Sequence, residues 1–241
     1  MNKKTLMMLA GGIIIAGGVT AYFAMDKYMG NNIEIESALA SAQTQSSAAA
    51  NGAAAPSGTA QASSVINSQL VNGSWVLADA SKVYWSVTTS KETVNFVNEA
   101  VEGKWNVNLD DAAAMSGEGI VDMSALSSGN GQRDGHVKDA RFLAVETYPQ
   151  ATFKAESFSG LPKEWEEGKA VPFEMSGKLT VKGVEKAVTF ASEAMYKGGQ
   201  LLVSGKTTVT FADFGLTNPH TVLLDTQNEL GVQLELVLTK E

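Results

Sequence analysis

The sequence predicts an all-β domain, a closed antiparallel barrel or a sandwich, standing behind one apolar N-terminal helix and a linker. Three observations predict it. Apolar residues recur with a period of two through the C-terminal two-thirds of the chain. Turn-forming dipeptides punctuate those runs. A long uncharged stretch precedes them all.

Residues 1–28 read as a membrane anchor. Lys3 and Lys4 precede an uncharged run from Thr5 to Met25 that contains Leu6, Ile13, Ile14, Ile15, Val19 and Phe23. Crossing the hydrocarbon core takes about 20 apolar residues, and this run has that length. The lysines favour a cytoplasmic N-terminus. The competing reading is a cleaved signal, whose apolar core is about 7–15 residues. The nearest small-x-small sites, Ala38-Leu39-Ala40 and Ala40-Ser41-Ala42, lie well beyond the run. The expected location is therefore the cell membrane, single-pass, with the rest of the chain extracytoplasmic. Signal cleavage would give a secreted or periplasmic protein instead.

Residues 29–69 read as a flexible linker. Between Ser37 and Gln69 there is no charged residue and little large apolar surface, too little to offset the entropy of ordering. As a random coil this stretch spans about 30 Å. Asn51, Gly52 and Pro56 oppose a persistent helix in the alanine-rich part.

Residues 70–241 read as the folded domain. Phe173, Met175, Gly177, Leu179 and Val181 alternate with polar residues, and Val232, Leu234, Leu236 and Leu238 form a similar one-sided set. Trp75, Val83, Trp85, Val87, Trp105 and Val107 carry the pattern to the start of the domain. The expected turns are Asn72-Gly73, Glu102-Gly103, Ser116-Gly117, Lys182-Gly183 and Gly198-Gly199. One segment, Asp134 to Glu146, is expected to be helical, with Asp134 as N-cap and an end enforced before Pro149.

Composition excludes several functions. The net charge of −8 across 241 residues, with acidic groups spread throughout, repels phosphate backbones and disfavours nucleic acid. There is no cysteine, so disulfides, thiolate catalysis and zinc–cysteine sites are absent. The two histidines, His136 and His220, lie far apart, and no nucleophile elbow or His-Glu-x-x-His is present. No catalytic residue, metal site or cofactor is expected.

The stretch from Gly131-Gln132-Arg133-Asp134-Gly135-His136 to Arg141-Phe142-Leu143, followed by Tyr148-Pro149-Gln150-Ala151-Thr152-Phe153, resembles the YceI-like family. Val101-Glu102-Gly103-Lys104-Trp105, Gly177-Lys178-Leu179-Thr180-Val181-Lys182-Gly183-Val184 and Asp213-Phe214-Gly215-Leu216 follow in the family's order. The resemblance covers Trp75 to Thr239. It implies a lipocalin-like eight-stranded antiparallel barrel with a short helical segment, exported in bacteria and holding a polyisoprenoid or related amphiphile. Many relatives carry a histidine near the second strand, where this chain reads Thr88-Thr89-Ser90-Lys91. That departure bears on head-group preference.

The ligand-binding residues expected are Trp85, Phe96, Trp105, Phe142, Phe153, Phe173, Met175, Gly177, Leu179 and Phe211, with His136 beside the mouth. Taken alone, inward aromatics mean core packing; an eight-stranded barrel either packs solid or holds one small ligand, and it is the family resemblance that implies the ligand. His136 has two readings: a head-group contact, or part of a polar cluster with Arg133 and Asp134 that pins the helical turn. Gly177 has two as well, a border of the ligand channel or a close approach by a protein neighbour. The leading function is membrane-tethered binding of a long-chain isoprenoid lipid or quinone, as carrier, buffer or sensor. The alternative is a packed barrel that acts as a protein-interaction module in envelope organisation or stress, without a lipid ligand.

Overall fold

The structure, a computed structural model, describes residues 33–50, 65–219 and 225–241. Its centre is a closed eight-stranded antiparallel barrel in which every strand pairs with its sequence neighbours and the last pairs with the first. The first barrel strand is made of two collinear pieces, β2 (Gly73–Leu77) and β3 (Lys82–Thr89). The second is likewise divided into β4 (Thr93–Asn98) and β5 (Val101–Val107). Next come β6 (Ser116–Asp122), β7 (Gln150–Ser159), β9 (Val171–Val181), β10 (Val184–Lys197), β11 (Gln200–Thr210) and β12 (Thr226–Lys240). A separate pair joins β1 (Val65–Ile66) to β8 (Trp165–Glu166).

Closure runs through β12. It pairs with β11 on one edge, from Gln200↔Thr239 to Thr210↔Glu229. On the other edge it pairs first with β3, up to Glu235↔Lys82, and then with β2, from Leu238↔Leu77. At the break between those two pieces Val237 stays satisfied: its carbonyl accepts from Ala78 N at 2.8 Å, and its N–H donates to Ser81 Oγ at 3.1 Å. Closing the sheet removes all long edges, which otherwise invite pairing with other chains.

The Lys182-Gly183 and Gly198-Gly199 turns form as expected. Both residues of each have positive φ, the backbone of a two-residue hairpin whose twist matches its strands. Glu102-Gly103 and Ser116-Gly117 are not turns. Both glycines lie inside strands, where a Cβ on Gly117 would come within 3.0 Å of the Trp105 ring and one on Gly103 within 2.8 Å of Leu77. They mark close approach, the other meaning of glycine in a strand. The helical segment is also shorter than expected. Helix α3 covers Gly131–Lys138, and its N-cap is Asn130, whose side chain accepts from Gln132 N and Arg133 N. Asp134 lies within the helix.

The linker expectation differs from the structure in its described parts, residues 33–50 and 65–69, while residues 29–32 and 51–64 lie outside the described residues. Residues 33–44 lie along the outer wall of the barrel as a strap, extended up to Ser37 and continuing as the first turns of helix α1 (Ala38–Ala50). Leu39 is 5% exposed and packs against Met195 and Leu202. Ala38 N donates to the buried Glu235 at 2.8 Å, Glu36 pairs with Lys82 at 2.9 Å, and Ala42 O accepts from Lys197. The domain also begins before residue 70. A short helix, α2 (Ser68–Val71), buries Val71 completely, and Trp75 Nε1 donates to its carbonyl at 2.8 Å. Outer-wall apolar residues and one buried carboxylate need a cover, and the strap supplies it. No helix among the described residues is long and apolar enough to cross a membrane. The Thr5–Met25 run lies outside the described residues, as does His220.

Candidate functional site

Strand direction gives the barrel two unlike ends. At one end Trp105, Phe158, Phe173 and Trp165 pack into a plug, with Phe158 stacked on Phe173 at 6.5 Å and edge-on to Trp105 at 5.8 Å. The space left there is about 20 Å³. Midway along, Phe153 and Phe190 meet edge-to-face at 5.1 Å beside a void of about 40 Å³. At the other end the interior opens into a cavity of about 360 Å³. A 150 Å³ apolar cavity holds benzene, so on that scale this one takes about fifteen non-hydrogen atoms.

Each wall of the cavity follows from local sequence. Alternation in β3 and β4 turns Trp85, Val87, Val94 and Phe96 inward. Helix α3 lies across the mouth and presents Arg133 and Val137, one turn apart. Behind it Phe142 meets Phe211 edge-on at 5.9 Å. Lys91, Glu92, Thr89 and Thr226 add the polar groups, and Lys91 and Glu92 are exposed. The cavity is an apolar pocket with a polar rim.

Helix α3 is fastened by a polar knot. The Asp134 carboxylate accepts from Ser128 N at 2.8 Å and Ser128 Oγ at 2.5 Å. Ser128 Oγ in turn accepts from Arg133 Nε at 2.8 Å, and the guanidinium lies 6.0 Å from the centre of the Phe96 ring. Arg133 is thereby held at the cavity wall. Asp134→Ala strips the fully buried Ser128 of its acceptor, an unsatisfied donor worth about 1–3 kcal/mol. Urea unfolding is expected to show a loss in that range; an unchanged midpoint would remove the knot's structural role.

The site residues expected from sequence separate along the axis. Trp85, Phe96, Phe142 and Phe211 line the open cavity. Trp105, Phe153 and Leu179 border the mid-barrel void, which Trp85 also touches, and Phe173 belongs to the plug. Met175 is fully buried in the core. Gly177 lines none of these spaces: a Cβ there would run into the Lys154 carbonyl and come within 2.9 Å of Ala155 Cα. The neighbour that approaches it is the backbone of β7, at the bulge between Ala155 and Ser157. His136 is exposed and outside the cavity lining. Its visible influence is on Asp139, whose carboxyl is held below the usual range chiefly by the Arg141 backbone N–H and guanidinium, with a small contribution from His136.

Sequence reasoning missed the use of Arg133, Val137, Met123 and Leu126 as cavity wall. The helical spacing of Arg133 and Val137 was the available signal. One further feature stands out. The indole N–H of Trp85 is buried and has no acceptor among the described residues, whereas Trp75 and Trp165 donate to Val71 O and Pro162 O.

The family model for the YceI-like domain matches residues 75–238. The chain belongs to the YceI-like family. A curated relative, protein YceI of Salmonella arizonae, is 33% identical over 78 residues, which are 32% of this chain and 37% of that protein. The match therefore spans little more than a third of the relative's length. Among solved structures, BcnA of Burkholderia cenocepacia is similar at a TM-score of 0.58 and 20% identity, covering 67% of this chain and 98% of that one. A polyisoprenoid binding domain from Saccharophagus degradans, implicated in plant cell wall breakdown, gives a TM-score of 0.57 at 15% identity, covering 70% and 99%. At these identities the neighbours show a shared fold and nothing finer.

Proposed function

We propose that this YceI-like barrel binds one end of an isoprenoid-type amphiphile, a prenol or quinone, in the open cavity, and does so beside a membrane. The observation that carries the reading is the cavity itself: about 360 Å³, apolar in its walls, open at one end and polar at the rim. Its size lies within the usual range for small-molecule sites, about 300–1,000 Å³. The Saccharophagus domain of the same fold, described as polyisoprenoid-binding, supports the ligand class.

Capacity limits what enters. Room for about fifteen heavy atoms corresponds to roughly three isoprene units on the benzene scale, so a longer chain must leave its remainder outside or displace the Phe153–Phe190 contact. Transfer of such a tail from a bilayer exchanges one apolar setting for another, so net affinity rests on fit and on the polar rim. That balance suits a carrier, buffer or sensor. The proposed setting is extracytoplasmic, with residues 5–25 as the anchor.

Titration of the full chain with farnesol, followed by intrinsic tryptophan fluorescence, tests the reading. Trp85 forms part of the cavity wall, so saturable quenching at one ligand per chain is expected. A linear, non-saturating response would contradict it.

A further inference from the structure

The strap along the outer wall has a direction. Ile33 O accepts from Asn95 Nδ2 at 3.0 Å, and Asn95 stands between Val94 and Phe96, both of which line the open cavity. Glu36 then meets Tyr84 and Lys82, further down β3. Leu39 and Ala42 reach Leu202, Met195 and Lys197, where β10 and β11 turn at the plugged end. The chain re-enters at β1, which pairs with Trp165 of the plug. The strap thus runs from the mouth end to the plugged end, with Ile33, its first described residue, on the mouth side.

Only residues 26–32 separate the apolar Thr5–Met25 run from Ile33. At about 3.5 Å per residue, fully extended, they reach roughly 25 Å at most. We infer that the docked strap holds the barrel with its open mouth toward a lipid bilayer. The uncharged stretch after Ser37 is not the spacer between membrane and barrel, because the chain has already docked before it begins. The proposal rests on the reading that residues 5–25 occupy the bilayer. It explains how a cavity too small for a whole polyprenyl chain works: one end enters the barrel while the rest stays in the membrane.

The attachment is specific. Glu235 is 2% exposed and accepts from Ala38 N, Ser204 Oγ and Gln233 Nε2. Leu39 fills the apolar notch beside it. Losing both the Glu235 acceptor and the Leu39 packing leaves the strap only its hydrogen bonds at Ile33, Glu36 and Ala42 and the Glu36–Lys82 pair, without touching the inward faces of the strands.

The chain lacks cysteine, so single labelling sites are clean. The full chain is reconstituted into phosphatidylcholine–phosphatidylglycerol vesicles carrying a headgroup-linked acceptor dye. Donors are placed singly at the mouth, Lys91→Cys, and at the plugged end, Ala113→Cys, both exposed positions. With 15 residues in β12 and the usual strand tilt, the two ends lie roughly 35–40 Å apart, so energy transfer from the mouth is expected to exceed the other about threefold or more. In the Leu39→Asp, Glu235→Ala double variant, which has neither the apolar contact nor an acceptor for Ala38 N, that difference is expected to collapse. Equal transfer in the wild type, stronger transfer from Ala113→Cys, or a difference that survives the double variant would overturn the proposal. Failure of the protein to float with vesicles would remove the anchor reading, and this proposal with it.

Discussion

Gly177→Ala is expected to destabilise the barrel by about 3 kcal/mol or more, the upper end of what overpacking costs. The added methyl has no side chain to push aside. It meets the Lys154 carbonyl and the Ala155 Cα of β7, so the paired strands themselves must separate. Gly177 sits opposite Ala155 in the register, directly before the bulge that lets β7 follow the curvature of the barrel. Urea unfolding of the full chain measures the effect. A midpoint within error of the wild type would show that the β7–β9 approach is looser than the structure has it.

Val87→Trp is expected to reduce lipid binding at least tenfold while leaving the fold intact. Val87 faces the cavity between its register partners Val94 and Leu230, both of which also line it. A tryptophan there occupies space that is open in the structure, so the usual overpacking cost of about 1–3 kcal/mol is largely avoided. Farnesol titration and thermal unfolding read the two effects separately. A folded variant that binds as the wild type does would move the binding site away from the mouth.

Much of the architecture was legible in the chain because its physics is local. Alternation in β9 and β12, and the positive-φ turns at Lys182-Gly183 and Gly198-Gly199, follow from adjacent residues. The strap was not legible for the opposite reason. Apart from Leu39 and the Glu36 carboxylate, its attachments use backbone groups such as Ala38 N–H and Ala42 C=O, which every sequence possesses. Their partners, Glu235 and Lys197, lie far along the chain. The divided strands were hidden similarly, since the break at Ala78–Ser81 is repaired through Val237.

The candidate site was legible in kind and not in depth. Inward alternation identifies Trp85, Phe96 and Phe173 equally, yet Trp85 and Phe96 line an open cavity and Phe173 closes the plug. What separates them is position along the axis and the size of the residues opposite, which depend on register across several strands. Asp134 shows a related limit. Its spacing fits an N-cap, but Asn130 lies earlier and caps Gln132 and Arg133, leaving Asp134 to bind Ser128.

Native mass spectrometry of the full chain purified from membranes, followed by organic extraction of whatever dissociates, tests the central claim most directly. The account predicts one prenol- or quinone-type molecule per chain, released on denaturation and absent from Val87→Trp. A wild-type chain that carries no lipid, and takes up none when offered farnesol, would contradict it.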